Sequence, residues 1–542
     1  MRKLLIISFL LIGVALNAAT YYVATTGSNG NPGTISSPWA TLQYAMSNVV
    51  AGDTVYLRGG TYAVTSTQGI TSNPGLVGTE ENPICFFNYP GETPIIDGIN
   101  KTSQSHGITL YYSSWVKFRG IQVRNHAQFE SGSFPSGWNI YYCSDLFFDQ
   151  CVVADVGGRG FAFRWCDRMT LTNCDAYNMD NDLSSSAGGD GDGFFMSPSY
   201  HNFTGRHYFY GCRAWQCSDD GWDIENLGLI VVENCWAFNN GFEKYDDAGL
   251  GNGFKLNLSP GENVSQLSRI VINNIAAYNR RTGITTNDNG NGARWMHIYN
   301  NTSYANGLFG EDGYGFQVYA TTSSDANEAY RIFRNNIAYA NTTLDFRLAT
   351  GAVYTGSNNS WSGGVTVTDA DFVSIDSTGL TGARQADGSL PDIDFLKLQN
   401  SSDLIDAGVD VGLDFTGDAP DIGAYEYDVD SPSSATDILS FTLASQIGSE
   451  IINTTLHTVT VELAYTADVS NLTPTITLSY GATVIPASGV SRDFTSPLPY
   501  TVTAEDGVTY QEWTVTVTQE EEPAAPAGSS RIVKYRGLIL KL

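Results

Sequence analysis

Four acidic residues crowd the segment CSDDGWDIE: Asp219, Asp220, Asp223 and Glu225. Carboxylates this close repel one another, and more strongly where burial removes solvent screening, so they call for a positive partner. Two other segments superimpose on this one through a shared glycine. GDGDGFFM places Asp192 before Gly193 with Phe194 and Phe195 after it, and LGNGFKLN places Asn252, Gly253, Phe254 and Lys255 in the same order. If the three segments are neighbouring rungs of one repeat, Asp192, Asp219, Asp220 and Asp223 converge. Lys255 then stands roughly 5 Å from Asp223 along the repeat axis. A carboxylate quartet suits a hard cation such as Ca²⁺, which takes about six to eight oxygen ligands. No His or thiolate joins the cluster, which disfavours Zn²⁺, and Asp190 is near enough in sequence to contribute. The aspartates alone are compatible with a purely structural ion. A lysine beside a bound cation has its ammonium form disfavoured, so Lys255 is expected to drop toward the range of a useful base.

These residues need a repeating scaffold to bring them together, and the chain contains one. FFDQCVVADV, LTNCDAYNMD, FYGCRAWQCS, VENCWAFNNG, INNIAAYNRR, YNNTSYANGL and RNNIAYANTT stack on one another. One shared column reads Cys151, Cys174, Cys212, Cys235, Ile275, Thr302, Ile337, and the column before it reads Gln150, Asn173, Gly211, Asn234, Asn274, Asn301, Asn336. Short β-rich segments at intervals of roughly 23 to 40 residues, broken by Asn and Gly turns, predict a solenoid. With no sustained helical period, the fold class is all-β, a right-handed parallel β-helix. The Asn column is expected to satisfy the turns, and the Cys/Ile/Thr column to fill the interior. Ser37 and Pro38 open a short amphipathic helix (Leu42, Ala45, Met46, Val49) placed to plug the first coil, and residues 404–428 read as the closing segment. Beyond it, HTVTVELAYTA, TPTITLSYG and EWTVTVTQ alternate apolar and polar residues, which predicts a small β-sandwich.

The N-terminus, MRKLLIISFLLIGVALNAA, has Arg2 and Lys3 before an apolar run and small residues after it, the pattern of a secretory signal peptide cleaved near Ala18 or Ala19. The run is too short for a membrane anchor. The expected organisation is a signal peptide (1–19), a β-helix catalytic domain (20–428), an immunoglobulin-like sandwich (429–518) and a linker with a short basic-apolar tail (519–542). A net charge of −28 excludes general attraction to nucleic acid or anionic membranes. An acidic partner must therefore be gripped by local cations; Arg280, Arg281 and Arg294 follow the Lys255 rung and are candidates. A monomer is expected.

The run DGFF…GCRAWQCSDDGWDI…ENCWAFNNG…GNGFKL closely resembles family 9 of the polysaccharide lyases, the β-helical pectate lyases. The likeness extends over residues 20–428 and is strongest from 190 to 258. It implies that Asp192, Asp219, Asp220 and Asp223, with the Ile224 carbonyl, bind catalytic Ca²⁺ and that Lys255 is the base. It also implies β-elimination on a uronic acid chain such as pectate, the cation acidifying the C5 proton. Three other readings stay open: a polygalacturonase-type hydrolase, a lyase for another uronan such as alginate, and a non-catalytic, calcium-stabilised carbohydrate-binding protein or adhesin. The hydrolase lacks support from any Gly-His-Gly or Arg-Ile-Lys pattern.

Overall fold

The structure is a computed structural model. It describes residues 18–520 except 133, 182, 184–187, 198–204, 226–227, 243–248, 258–266, 288–294, 309–312, 320–330, 400, 428–435, 480–481 and 505–506. The chain divides into two compact units after Tyr427.

In the first unit every third strand in sequence lies beside the same neighbour, always parallel. Ser136–Tyr141, Ser144–Asp149 and Val152–Val156 form one coil; the next strand, Arg159–Arg164, returns to pair with Ser136–Tyr141. Repetition builds three parallel sheets of twelve, ten and ten strands, the expected β-helix. The ten-stranded sheet that contains Arg159–Arg164 and Phe194–Met196 is called the site sheet below. The others are the long sheet, with twelve strands, and the third sheet.

Turns between the long and third sheets need one residue in the left-handed region, where Asn and Gly cost least. Gln150, Asn173, Gly211, Asn234, Asn273, Asn300 and Asn335 all have φ between 50 and 62°. The interior column follows one residue later: Cys151, Cys174, Cys212 and Cys235, then Asn274, Asn301 and Asn336. This corrects the expected alignment from the fifth repeat onward. Trp236, not Cys235, pairs with Ile275. The paired asparagines of INN and YNN have different jobs: the first makes the turn, and the second goes inside. There each amide donates to the next, Asn274 Nδ2 to Asn301 Oδ1 at 2.9 Å and Asn301 Nδ2 to Asn336 Oδ1 at 2.9 Å. Ile275 and Ile337 instead face outward, where residues 372–422 cover them together with Trp215 and Trp236. The closing segment thus packs along the outside of the third sheet. All eight cysteines are buried free thiols.

The first coil is plugged by a helix, Leu42–Met46, whose Leu42, Ala45 and Met46 join the core. It begins at Thr41, whose Oγ1 accepts from the Tyr44 amide at 3.1 Å, and not at Ser37, which bridges back to Thr34. No described helix is long and apolar enough to cross a membrane.

The second unit packs a two-stranded sheet (Ile438–Thr442, Thr475–Leu478) on a five-stranded one. In the larger sheet Thr458–Leu463 runs parallel to Tyr510–Gln519. Phe441, Val461, Tyr500, Val502 and Trp513 fill the space between them, as the alternating runs require.

Candidate active site

Register in the site sheet is set by its inward and turn columns. Phe161, Phe194, Trp222 and Phe254 are successive inward residues, stacked with centroids 5.2, 4.6 and 4.6 Å apart. Trp222 is fully buried, and truncating so large a side chain costs about 3–5 kcal/mol. The glycine before each aromatic is obligatory because the rungs touch there. A Cβ on Gly193 would lie 2.8 Å from the Gly221 carbonyl oxygen, and one on Gly221 would lie 2.7 Å from that of Gly253. With glycines and aromatics in register, their neighbours follow: Phe195 pairs with Asp223 and Asp223 with Lys255, all on the outer face. The three-segment superposition made from sequence is therefore the spatial one.

A second asparagine ladder holds the turn that carries Asp219 and Asp220. Asn240 Oδ1 accepts from the Cys217 amide at 3.2 Å, and Asn240 Nδ2 donates to Asn279 Oδ1 at 3.0 Å. On this frame Asp192, Asp220 and Asp223, all buried, bring one carboxylate oxygen each within 4.8 Å of the others. Lys255 Nζ stands 3.1 Å from Asp220 Oδ2 and 3.1 Å from Asp223 Oδ2. Asn252 donates to Asp220 Oδ1 from its amide nitrogen and its side chain, at 2.7 and 2.8 Å. Asn257 Nδ2 donates to Asp223 Oδ1 at 2.6 Å and to Glu225 Oε1 at 3.1 Å.

Burial, then mutual repulsion, raises the Asp192 and Asp219 carboxyls well above the ordinary range. Asp223 is raised by burial against the opposing pull of Lys255. The expected drop of Lys255 belongs to a cation-bound site; the protein's own groups act the other way. Burial pulls it down, but Asp220, Asp223, Asp219 and Asp192 together outweigh that and leave it above the usual lysine value. Without another cation, the ammonium itself is the positive partner that the carboxylates require. The donor set fits Ca²⁺ as well: all its ligand atoms are oxygens, and the buried Asp220 Oδ2 accepts no hydrogen bond among the described residues.

The other expected residues fall at different distances from this centre. Asp219 sits beside it but outside the tightest trio, its Oδ1 accepting from the Leu250 amide at 2.7 Å. The Ile224 side chain is in the core, so only its carbonyl could serve. Asp190 pairs with Arg159. Arg280 and Arg281 are half-buried one rung beyond the Asn252 turn, where their amides donate to the Asn240 and Gly251 carbonyls at 2.9 and 3.0 Å. Arg294 lies outside the described residues.

Two contributors were missed by the sequence reading. Asn257 follows the GNGFKL motif by one residue. Arg159 Nε lies 3.3 Å from Asp192 Oδ2, and its guanidinium covers the Phe195 ring at 3.9 Å. A signal for Arg159 existed: GGRGFAFRW superimposes on GDGDGFFM, which puts Arg159 in the column of Asp192, Asp220 and Asn252, one rung earlier.

Comparison with known proteins finds the same fold. A family described as "Pel9A-like, right handed beta helix region" matches residues 21–359, and one described as "SGBP, N-terminal" matches residues 438–517. Pectate lyase L of Dickeya chrysanthemi is 31% identical over 419 residues, which cover 75% of this chain and 90% of that protein. The crystal structure of pectate lyase Pel9A superimposes with a TM-score of 0.57 at 28% identity, covering 76% of this chain and 96% of the other. A rhamnogalacturonan lyase superimposes with a TM-score of 0.57 at 26% identity, covering 71% and 97%. With the family match spanning more than half its length and the Asp/Lys rungs in register, this chain belongs to the Pel9A-like right-handed β-helix family, the family 9 polysaccharide lyases.

Proposed function

We propose that the protein is a secreted, calcium-dependent lyase that cleaves pectate by β-elimination. The observation that carries the reading is Lys255 Nζ held 3.1 Å from two carboxylates of the buried Asp trio, on the outer face of the site sheet. Asp192, Asp220 and Asp223, with Asp219 and the Ile224 carbonyl beside them, would hold Ca²⁺. When bound, the ion supplies a Lewis acid that draws charge from the uronate carboxylate and offsets the protein's own carboxylates.

The chain's residues do the rest. Asn252 and Asn257 orient Asp220 and Asp223 through their amides, and Arg159 braces Asp192. Lys255, in its neutral form, takes the C5 proton on Nζ. The C5–H electron pair becomes the C4–C5 double bond, and the C4–O bond breaks with its pair leaving on the glycosidic oxygen. Burial already disfavours the ammonium of Lys255, and only the surrounding carboxylates oppose it. Hydrolysis is poorly served here: its acid and base carboxyls stand about 5–9.5 Å apart across the bond, whereas these oxygens lie within 4.8 Å.

Purified protein with Ca²⁺ should release ultraviolet-absorbing unsaturated oligouronides from de-esterified pectin, and a chelator should abolish the signal. A panel of pectate, rhamnogalacturonan, alginate and glycosaminoglycans that yields none would refute the lyase reading. Reducing ends formed without ultraviolet absorbance would instead support the hydrolase. Export is checked by sequencing the N-terminus of secreted protein, which should begin at or next to Ala19.

A further inference from the structure

The acidic cluster ends abruptly toward the N-terminal rungs, and a cation stands beyond it. Arg164 lies on the outer face of the site sheet, two residues after Ala162, which pairs with Phe195, itself paired with Asp223. Its guanidinium is half-buried over two rings, Tyr141 and Phe195, each 5.2 Å from Cζ. Its polar contact is a hydrogen bond from Nη1 to Asn139 Oδ1 at 2.9 Å.

No carboxylate lies within ion-pair range of Arg164 among the described residues, in contrast to Arg159, Arg168, Arg213 and Arg384. Arg119, Arg124 and Arg347 are likewise half-buried over rings; what sets Arg164 apart is its place, on the outer face of the site sheet two rungs from Asp223. Aromatic stacking fixes its plane and leaves its edge free for a planar anion. Burial, and then repulsion from Arg159, pulls Arg164 below the ordinary arginine value.

We propose that Arg164 receives a carboxylate of the substrate chain two rungs from Asp223, and so reads the uronate of the second sugar from the one at the Asp cluster. This rests on the lyase reading above. Rungs are spaced about 4.8 Å apart, close to the length of one sugar in a 1,4-linked chain. Two rungs thus span about two sugars, so a polymer lying along the site sheet with one carboxylate at the Asp cluster presents that of the second sugar along near Arg164. A charged fork against a carboxylate makes a paired, directional contact that a methyl ester cannot replace.

The test uses Arg164→Gln, which removes the charge, and Asn139→Asp, which places a competing carboxylate on the guanidinium without touching Arg164. Hexagalacturonate binding is measured by calorimetry in a Lys255→Ala background with Ca²⁺, and kinetics with Lys255 intact. Both variants should bind de-esterified hexamer about tenfold or more weakly. Both should raise KM with kcat held within about twofold, and both should bind the methyl-esterified hexamer as the parent does. Unchanged affinity, or equal loss on the esterified hexamer, overturns the assignment; should Arg164→Gln not fold, Asn139→Asp decides alone. Arg164-dependent binding without any ultraviolet-absorbing product sinks the lyase reading and spares Arg164. Product formation with Arg164-independent affinity does the reverse.

Discussion

Two groups of buried carboxylates in the β-helix are treated in opposite ways. On the third sheet, Asp175 is gripped by two guanidinium forks. Arg213 donates to it at 2.8 and 2.9 Å and Arg384 at 2.6 and 3.2 Å, while Arg213 also ties the carbonyls of Leu380 and Gly382. That carboxylate is saturated, and its work is to fasten the returning segment to the sheet. On the site sheet, Asp192, Asp220 and Asp223 share one ammonium and the flank of Arg159, and Asp220 Oδ2 accepts no hydrogen bond among the described residues. Burial is comparable, with Asp175 at 6% exposure and Asp220 at 0%. The balance of charge separates a saturated carboxylate from a cluster that is short of cations.

The largest expected effect lies on the reactive side. Lys255→Ala should lower kcat by about 10²–10⁴-fold with the fold and calcium binding retained, as read by the ultraviolet assay beside calorimetric calcium titration. Activity at the parent's level would take Lys255 out of the chemistry. The converse belongs to Asp175→Asn. It strands the buried guanidinium of Arg213 and the half-buried one of Arg384 and should cost about 3–5 kcal/mol in urea unfolding, while the folded protein turns over at the parent's rate. Loss of turnover in folded Asp175→Asn protein would break the contrast.

Asp220→Asn sharpens the comparison through temperature. Without metal it should melt above the parent, because one mutually repelling charge is gone. The parent should gain about 2.7 kcal/mol of stability at a hundredfold excess of Ca²⁺ over Kd, and the variant little. A calcium-induced rise as large in Asp220→Asn as in the parent would show that the ion binds elsewhere.

The smallest effect concerns carboxyls served by backbone amides alone. Glu426 accepts from the Asp421 amide at 3.2 and 3.3 Å, and burial, then the Asp421 charge, raises it from 4.5 to about 7. A carboxyl raised on folding binds its proton more tightly in the native state. Its contribution is fully present below pH 4.5 and is lost as the pH climbs through 7. Partial solvent exposure screens it, so the expected amount is below about 1 kcal/mol. Melting curves at pH 5 and pH 8 should converge slightly in Glu426→Gln relative to the parent. A gap as wide as the parent's would remove Glu426 as a cause.

The rungs that carry Asp192, Asp220 and Lys255 were legible because each pairs a glycine with a following aromatic, two residue types with little freedom at a crowded turn. The Ile275 column was misplaced because consecutive asparagines offer two equivalent alignments, and only the φ of Asn273 breaks the tie. Arg159 was passed over because its rung substitutes a cation for the aspartate that defined the motif. Arg164 carried no local signal: its importance is its place on the outer face of the site sheet, two rungs from Asp223.

Periodicity, the glycine–aromatic pairs and the Asp/Lys motif, all local patterns, were enough to determine a parallel β-helix, a separate sandwich and the chemical class of the site. Tertiary structure alone decided which charges compensate which. It gave Asp175 two arginines, set one lysine against the Asp trio, and left Arg164 without a carboxylate among the described residues. Electrostatic energy depends on distance and burial across rungs, and residues dozens of positions apart in the chain acquire those only when the coils stack.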